Sequence, residues 1–177
     1  MFFKEFETDR LILKNISKDY RDFILRQFSN ERMNEFLFDA EPLKSLEEAD
    51  EIIEFYLQPE PREQHRWVLI LKSNGCPIGT CGFHCWDRKN NQVDIGYDLQ
   101  EEHWGQGLMT EALQAILLFA ENKMNVEKIN AHIYVDNARS IKIAKKLGFI
   151  FYDETEICVF RDRKYLHNIY SFVSSFT

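Results

Sequence analysis

The chain has 177 residues, 45% of them hydrophobic and 29% charged, with 15 Phe among its aromatics. At about 100–200 residues per domain this reads as a single domain over 1–177, able to bury about 70% of its unfolded surface, and the composition excludes disordered, collagenous and coiled-coil classes. A net charge of -7 disfavours nucleic acid as a partner, no apolar run approaches the roughly 20 residues of a membrane span, and Met1–Arg10 lacks the apolar core of a signal peptide, so the expectation is a cytoplasmic protein without a membrane partner.

Phe6–Asn15, with Leu11, Ile12 and Leu13, reads as a first strand. Ser17 is the expected cap of a helix carrying Tyr20, Phe23, Ile24 and Phe28 on one face. Ser45 and Glu48 form a capping box ahead of a stripe of Leu46, Ala49, Ile52, Ile53 and Tyr56, and Pro59 and Pro61 stop that helix. His65–Lys72, Pro77–Trp86 and Gln92–Leu99 follow as strands of an antiparallel meander, the first two joined by the hairpin signal Asn74-Gly75. Met109, Ala112, Leu113, Ile116, Leu117 and Ala120 then recur at helical spacing. Lys128–Asp136 alternates, with Ile129, Ala131, Ile133 and Val135 to one side and His132 and Tyr134 to the other. A short helix over Asn137–Leu147 ends at Gly148, and two strands, Phe149–Phe160 and Tyr165–Ser174, close the chain. No repeat or linker interrupts this order, which describes one α/β domain with a mixed sheet.

The cysteines are Cys76, Cys81, Cys85 and Cys158. A metal site would draw on Cys81, His84 and Cys85. In a strand rising about 3.3 Å per residue, however, the two thiols stand about 13 Å apart on one face, with His84 on the other. One zinc ion with ligand distances near 2.3 Å cannot span that. No metal is expected, and buried thiols in a reducing compartment are the simpler reading.

Two segments carry the candidate chemistry. In Ile95–Ala112 a strand runs into Trp104-Gly105-Gln106-Gly107 and then into a helix. Free amides at such a helix start attract phosphate oxygens. The loop is not a nucleotide P-loop, since no Gly-Lys-Ser/Thr follows, and the third glycine of a dinucleotide fingerprint is absent. The second segment, Asn137–Phe149, supplies an N-cap at Asn137 and a buried stripe of Ile141, Ala144 and Leu147, all accountable as structure alone.

Taken together, the sequence resembles the GNAT superfamily of acetyl-CoA-dependent N-acetyltransferases, and more narrowly the branch that includes the ribosomal-protein alanine acetyltransferases. Phe6-Glu-Thr-Asp-Arg10-Leu-Ile-Leu13 is similar to that branch's opening strand. Ile95-Gly-Tyr-Asp-Leu99 through Trp104-Gly-Gln-Gly107 to Thr110-Glu-Ala112 is similar to its pyrophosphate loop, and Asn137-x-x-Ser140 to Lys146-Leu-Gly-Phe149 to its second cofactor helix. The resemblance implies a mostly antiparallel mixed sheet of about seven strands flanked by four helices. It also implies a splayed parallel pair, Gln92–Leu99 and Lys128–Asp136, that holds the pantetheine arm of acetyl-CoA.

By the same resemblance Trp104, Gly105, Gln106, Gly107, Leu108, Met109 and Thr110 present amides to the pyrophosphate, and Asn137 contacts pantetheine. The backbone amide of Leu99 polarises the thioester carbonyl. Met109 departs from the Gly or Ala usual there. Ala144 stands where many members carry a tyrosine acid, which leaves Ser140 as the donor to the departing sulfur. Asp94 is the matching general base, with His84 as runner-up. Met33, Phe36, Phe38, Tyr56, Trp86 and Tyr97 are possible walls of the acceptor site, and Glu31, Glu35 and Asp39 acids near it. The implied activity is acetyl transfer from acetyl-CoA to a primary amine, on a small molecule or a protein N-terminus, by direct attack in a ternary complex. A non-catalytic acyl-CoA-binding protein is the alternative. A homodimer through Tyr165–Ser174 would follow family habit.

Overall fold

The computed structural model describes residues 2–173. Its sheet has eight strands in the order β1-β2-β3-β4-β5-β6-β8-β7. They are β1 (Phe6–Glu7), β2 (Leu11–Asn15), β3 (His65–Leu71), β4 (Pro77–Asp87), β5 (Gln92–Leu99), β6 (Lys128–Tyr134), β7 (Ile150–Phe160) and β8 (Arg163–Val173). The helices are α1 (Arg21–Ser29), α2 (Leu46–Tyr56), α3 (Leu108–Phe119) and α4 (Ala138–Lys146). Ser174, the expected end of the last strand, lies outside the described residues.

The strand count exceeds seven because the first strand is two. Thr8 folds back, its N–H donating to the Leu11 carbonyl at 2.9 Å, so β1 and β2 pair as a hairpin. Glu111, in the first turn of α3, accepts from Thr8 Oγ1 at 2.5 Å and from the Arg10 N–H at 2.8 Å. That polar Thr-Asp-Arg run is therefore a turn tied to α3 rather than strand interior.

Burial divides along the two faces of the sheet. One core gathers Leu11, Leu13, Trp67, Phe83, Val93 and Ile129 against Ala112, Leu113 and Ile116 of α3 and Ala144 of α4. The other packs Phe23, Ile24, Ala49 and Ile53 of α1 and α2 on Val68 and Ile70. The Ser45 cap forms, its Oγ accepting from the Glu48 N–H at 3.3 Å, while Glu48 reaches back to the Lys44 N–H instead of that of Ser45. Ser17 does not cap α1: a 3₁₀ turn over Lys18–Tyr20 intervenes, and the Ser17 hydroxyl donates to Asp19. Gly148 ends α4 at φ 88°, as its place in the sequence requires.

Only Cys81 of the four thiols is fully buried. A bulge between His84 and Asp87 puts Cys85 at φ 51° and turns it to solvent, so the simple alternation that placed it on the same face as Cys81 fails there. Cys76 is also exposed and Cys158 half-buried. Among the described residues no group of three His, Cys, Asp or Glu side chains is arranged to hold a metal ion, and no helix there is long and apolar enough to cross a membrane.

Candidate active site

Among the described residues only β5 and β6 run parallel, and they pair over just three positions: Gln92, Val93 and Asp94 with Lys128, Ile129 and Asn130. Beyond Asp94 the two strands diverge. The Gln100 N–H is bonded to the Ile78 carbonyl of β4 at 2.9 Å. Successive N–H groups of a strand point to opposite edges, so those of Tyr97 and Leu99 point away from β4, into the gap. The Leu99 carbonyl is held by Trp104 Nε1 at 2.6 Å, which fixes the strand end against the loop that follows.

At the far end of this open edge the loop enters α3. Gly105 and Gly107 adopt φ 73° and 77°, the left-handed region that L side chains resist. Gly107 serves as the N-cap of α3 and offers no capping side chain. The first-turn amides of Leu108, Met109 and Thr110 therefore have no side-chain acceptor and carry the positive end of the helix dipole. Arg10 braces the loop from behind, donating from Nη1 to the Gln106 carbonyl at 2.9 Å.

A cleft of about 480 Å³ joins these parts. Leu99, Trp104, Gly105, Gly107, Leu108, Met109, Thr110, Asn137 and Ser140 all line it. Gln106 does not, because its side chain turns back to the Glu102 carbonyl at 2.9 Å. Met109 is 4% exposed, so its length is absorbed by the core beneath the loop. Asn137 caps α4 through Oδ1, which accepts from the Ser140 N–H at 3.2 Å. The Ser140 hydroxyl has no hydrogen-bond partner among the described residues, and the Tyr97 hydroxyl donates to the Ser140 carbonyl at 3.4 Å. Burial pushes the Tyr97 phenol up to about 12, so it stays protonated.

Other expected residues lie elsewhere. Asp94 does not line the cleft; it faces the α1/α2 side of the sheet, accepting from Asn130 Nδ2 at 3.3 Å with His132 beside it at 3.5 Å. His84 is no plausible base, since burial, aided by Arg66, pushes its pKa down to about 4. Of the suggested acceptor walls, Met33, Phe36 and Tyr97 reach the cleft. Trp86 is core, and the Tyr56 hydroxyl oxygen accepts from Arg66 in a buried network instead.

That network was not legible in the sequence. Arg66 pairs with Asp98 at 2.6 Å, its Nε reaches Thr80 at 2.6 Å and its Nη1 reaches Tyr56 at 3.0 Å. Gln27 adds a bond to Asp98 at 2.6 Å. Desolvation opposes the Arg66 charge, but Tyr56 and Asp98 outweigh it and hold its pKa above the ordinary value. The network stiffens β4 and β5 immediately beneath the open edge. Arg139 was missed as well: its guanidinium lies 3.9 Å from the Trp104 ring centroid and within 3.5 Å of Glu35, spanning the cleft mouth.

Comparison with known proteins agrees with this geometry. The acetyltransferase (GNAT) domain family matches residues 10–150. An uncharacterized N-acetyltransferase of Bacillus subtilis, YoaA, is 30% identical over 144 residues, 81% of each chain. The ribosomal-protein-serine acetyltransferase of Escherichia coli is 28% identical over 108 residues, 61% of this chain and 60% of that one. Spermidine N-acetyltransferase from Vibrio cholerae, solved with CoA and spermine, superposes with a TM-score of 0.82 at 18% identity, covering 94% of this chain and 96% of that one. The family match spans the divergent strands, the glycine loop and α4, and on it the chain belongs to the GNAT family of acetyltransferases.

Proposed function

We propose that the protein transfers the acetyl group of acetyl-CoA to a primary amine by direct attack, with both substrates bound at once. The observation that carries this is the unpaired edge of β5, whose Tyr97 and Leu99 amides open into a gap that ends at the α3 amides. An extended pantetheine arm adds to such an edge as a further strand does, and a pyrophosphate fits the helix start. Acetyl-CoA supplies an activated acyl carbon as a thioester.

The chain's own groups account for the rest. The amides of the Trp104–Thr110 loop hold the pyrophosphate. Asn137, its Oδ1 engaged in the cap, presents its side-chain nitrogen to the arm. The Leu99 N–H stabilises the developing oxyanion, which is worth about 10²–10³ in rate where such a donor has been removed from other enzymes. The Ser140 hydroxyl, without a hydrogen-bond partner among the described residues, hydrogen-bonds the departing sulfur. The relative named for a ribosomal protein and the neighbour solved with spermine support a protein or a small polyamine as the acceptor.

The test is calorimetric titration with acetyl-CoA on the wild type and on Gly107→Trp, both checked for folding by circular dichroism. The wild type binds in the micromolar range, and the variant loses roughly 10-fold or more, about 1.4 kcal/mol. Folded wild-type protein that does not bind acetyl-CoA at millimolar concentration overturns the reading. Release of free thiol on adding a primary amine then establishes transfer.

A further inference from the structure

On the face opposite the loop, three titratable side chains meet where the strands part. His132 is the first β6 side chain on that face beyond the last parallel pair, Asp94 with Asn130. Its Nε2 lies 3.5 Å from Asp94 Oδ1 of β5, and its Nδ1 lies 2.7 Å from Glu156 Oε2 of β7. Asn130 steadies Asp94, and Ser171 of β8 steadies Asn130 at 2.8 Å. Four strands thus converge to hold one imidazole between two carboxylates, with all three side chains between 29% and 49% exposed.

Val93, Ile129, Ala131 and Ile133 of the same two strands are buried on the α3 side, together with the α3 and α4 residues that floor the cleft. A second substrate must therefore approach the acyl carbon from the other face, through the gap. We propose that His132, set by Asp94 and Glu156, is the group that takes the proton from the acceptor's ammonium at this gap. The inference rests on the transferase reading above and completes its proton balance. The ammonium N–H bond breaks and its proton passes to the neutral imidazole. The freed nitrogen pair forms the C–N bond as the C–S bond breaks, the second nitrogen proton goes to the departing sulfur, and His132 returns its proton to solvent.

Hydrogen bonding to Asp94 and then Glu156 outweighs desolvation and raises His132 to about 9, within the range of primary ammonium groups. The surrounding groups do not compete. His84 of β4 is held neutral, and burial, with Asp94, Glu63 and Glu156 adding to it, raises the Cys85 thiol, as burial with Glu156 and Asp39 does for Cys158. His167 of β8 bonds the Tyr165 carbonyl through Nδ1 at 3.2 Å. The neighbouring Lys128 is paired with Glu154.

The test follows thiol release from acetyl-CoA with two probe amines: propylamine, protonated at neutral pH, and aminoacetonitrile, neutral there. Wild-type kcat/KM for propylamine rises with pH to a knee near 9. Asp94→Asn and Glu156→Gln move that knee to lower pH, because each removes a carboxylate that raises the imidazole. His132→Gln abolishes it and loses at least tenfold more rate with propylamine than with aminoacetonitrile, while acetyl-CoA affinity stays within twofold. An unmoved knee in the carboxylate variants, or equal losses with both amines, overturns the proposal. If neither amine releases thiol from protein that binds acetyl-CoA, transfer to simple amines fails, and a second readout judges His132 separately. Propylammonium chloride then shifts the His132 Cε1–H resonance of ¹³C-histidine-labelled protein beyond the effect of equal sodium chloride; no such shift overturns the proposal.

Discussion

Ser140 and Asn137 divide one turn of helix between them. Asn137 Oδ1 satisfies the Ser140 amide, so the serine hydroxyl is spared from capping and projects into the cleft unbonded. A hydroxyl so placed strengthens its bond to sulfur as negative charge grows there, acting on the transition state more than on the bound substrate. Ser140→Ala therefore lowers chemistry-limited turnover about 10²-fold while leaving the calorimetric affinity for acetyl-CoA within about threefold; unchanged turnover removes the role. The turn at Gly105 and Gly107 and the cap at Asn137 could be read from the chain because glycine spacing and residue type announce them, and both lie at the cleft. His132 could not: its carboxylate Glu156 lies 24 residues onward on another strand, and nothing near it in sequence distinguishes it from the other histidines. Arg139 and Arg66 were hidden for the same reason, since each matters only through a ring or carboxylate that the fold brings to it.

The elements were legible wherever one period held. Alternation in β6 and the helical stripe of α3 each answer to a single buried face, so pattern and structure agree. The failures fall where a local exception breaks the period: the Thr8 turn that splits the first strand and the bulge at Cys85. The reach of the parallel pairing, three residues, was also not announced by the alternation of either strand. The glycines of β4 and β5 show how tightly the meander is drawn. A Cβ on Gly82 would fall on the His65 carbonyl oxygen and against the Arg66 backbone, neither of which can move without breaking the β3–β4 ladder. A Cβ on Gly96 would meet side chains rather than backbone, the His84 ring at 2.8 Å and Arg66 Nη1 at 3.8 Å. Gly82→Ala should cost about 3 kcal/mol or more in urea unfolding, and Gly96→Ala about 1 kcal/mol. Equal costs would show that β3 and β4 have more freedom than their register implies.

For the molecule as a whole, three histidines set opposite limits on the pH range of stability. His65 is 1% exposed, and burial with help from Arg62 pushes its pKa down to about 3, while His84 falls to about 4. Both are neutral in the fold, whereas the unfolded chain protonates them near 6.5. Below that pH the unfolded state binds more protons, so stability falls on acidification, His65 alone adding a slope of up to about 1.4 kcal/mol per pH unit. His132 works the other way. Its pKa is raised to about 9, so between 6.5 and 9 the folded state holds the extra proton, and its contribution is lost as pH rises through that window. Thermal melts across pH should therefore trace a dome whose acid limb survives in His132→Gln and whose alkaline limb flattens. The alkaline limb is also where neutral imidazole accumulates, so the pH that readies His132 to accept a proton is the one at which the tie among β5, β6 and β7 weakens. Alkaline limbs of equal slope in wild type and His132→Gln would mean that the two carboxylates hold the imidazole no more strongly when it is charged.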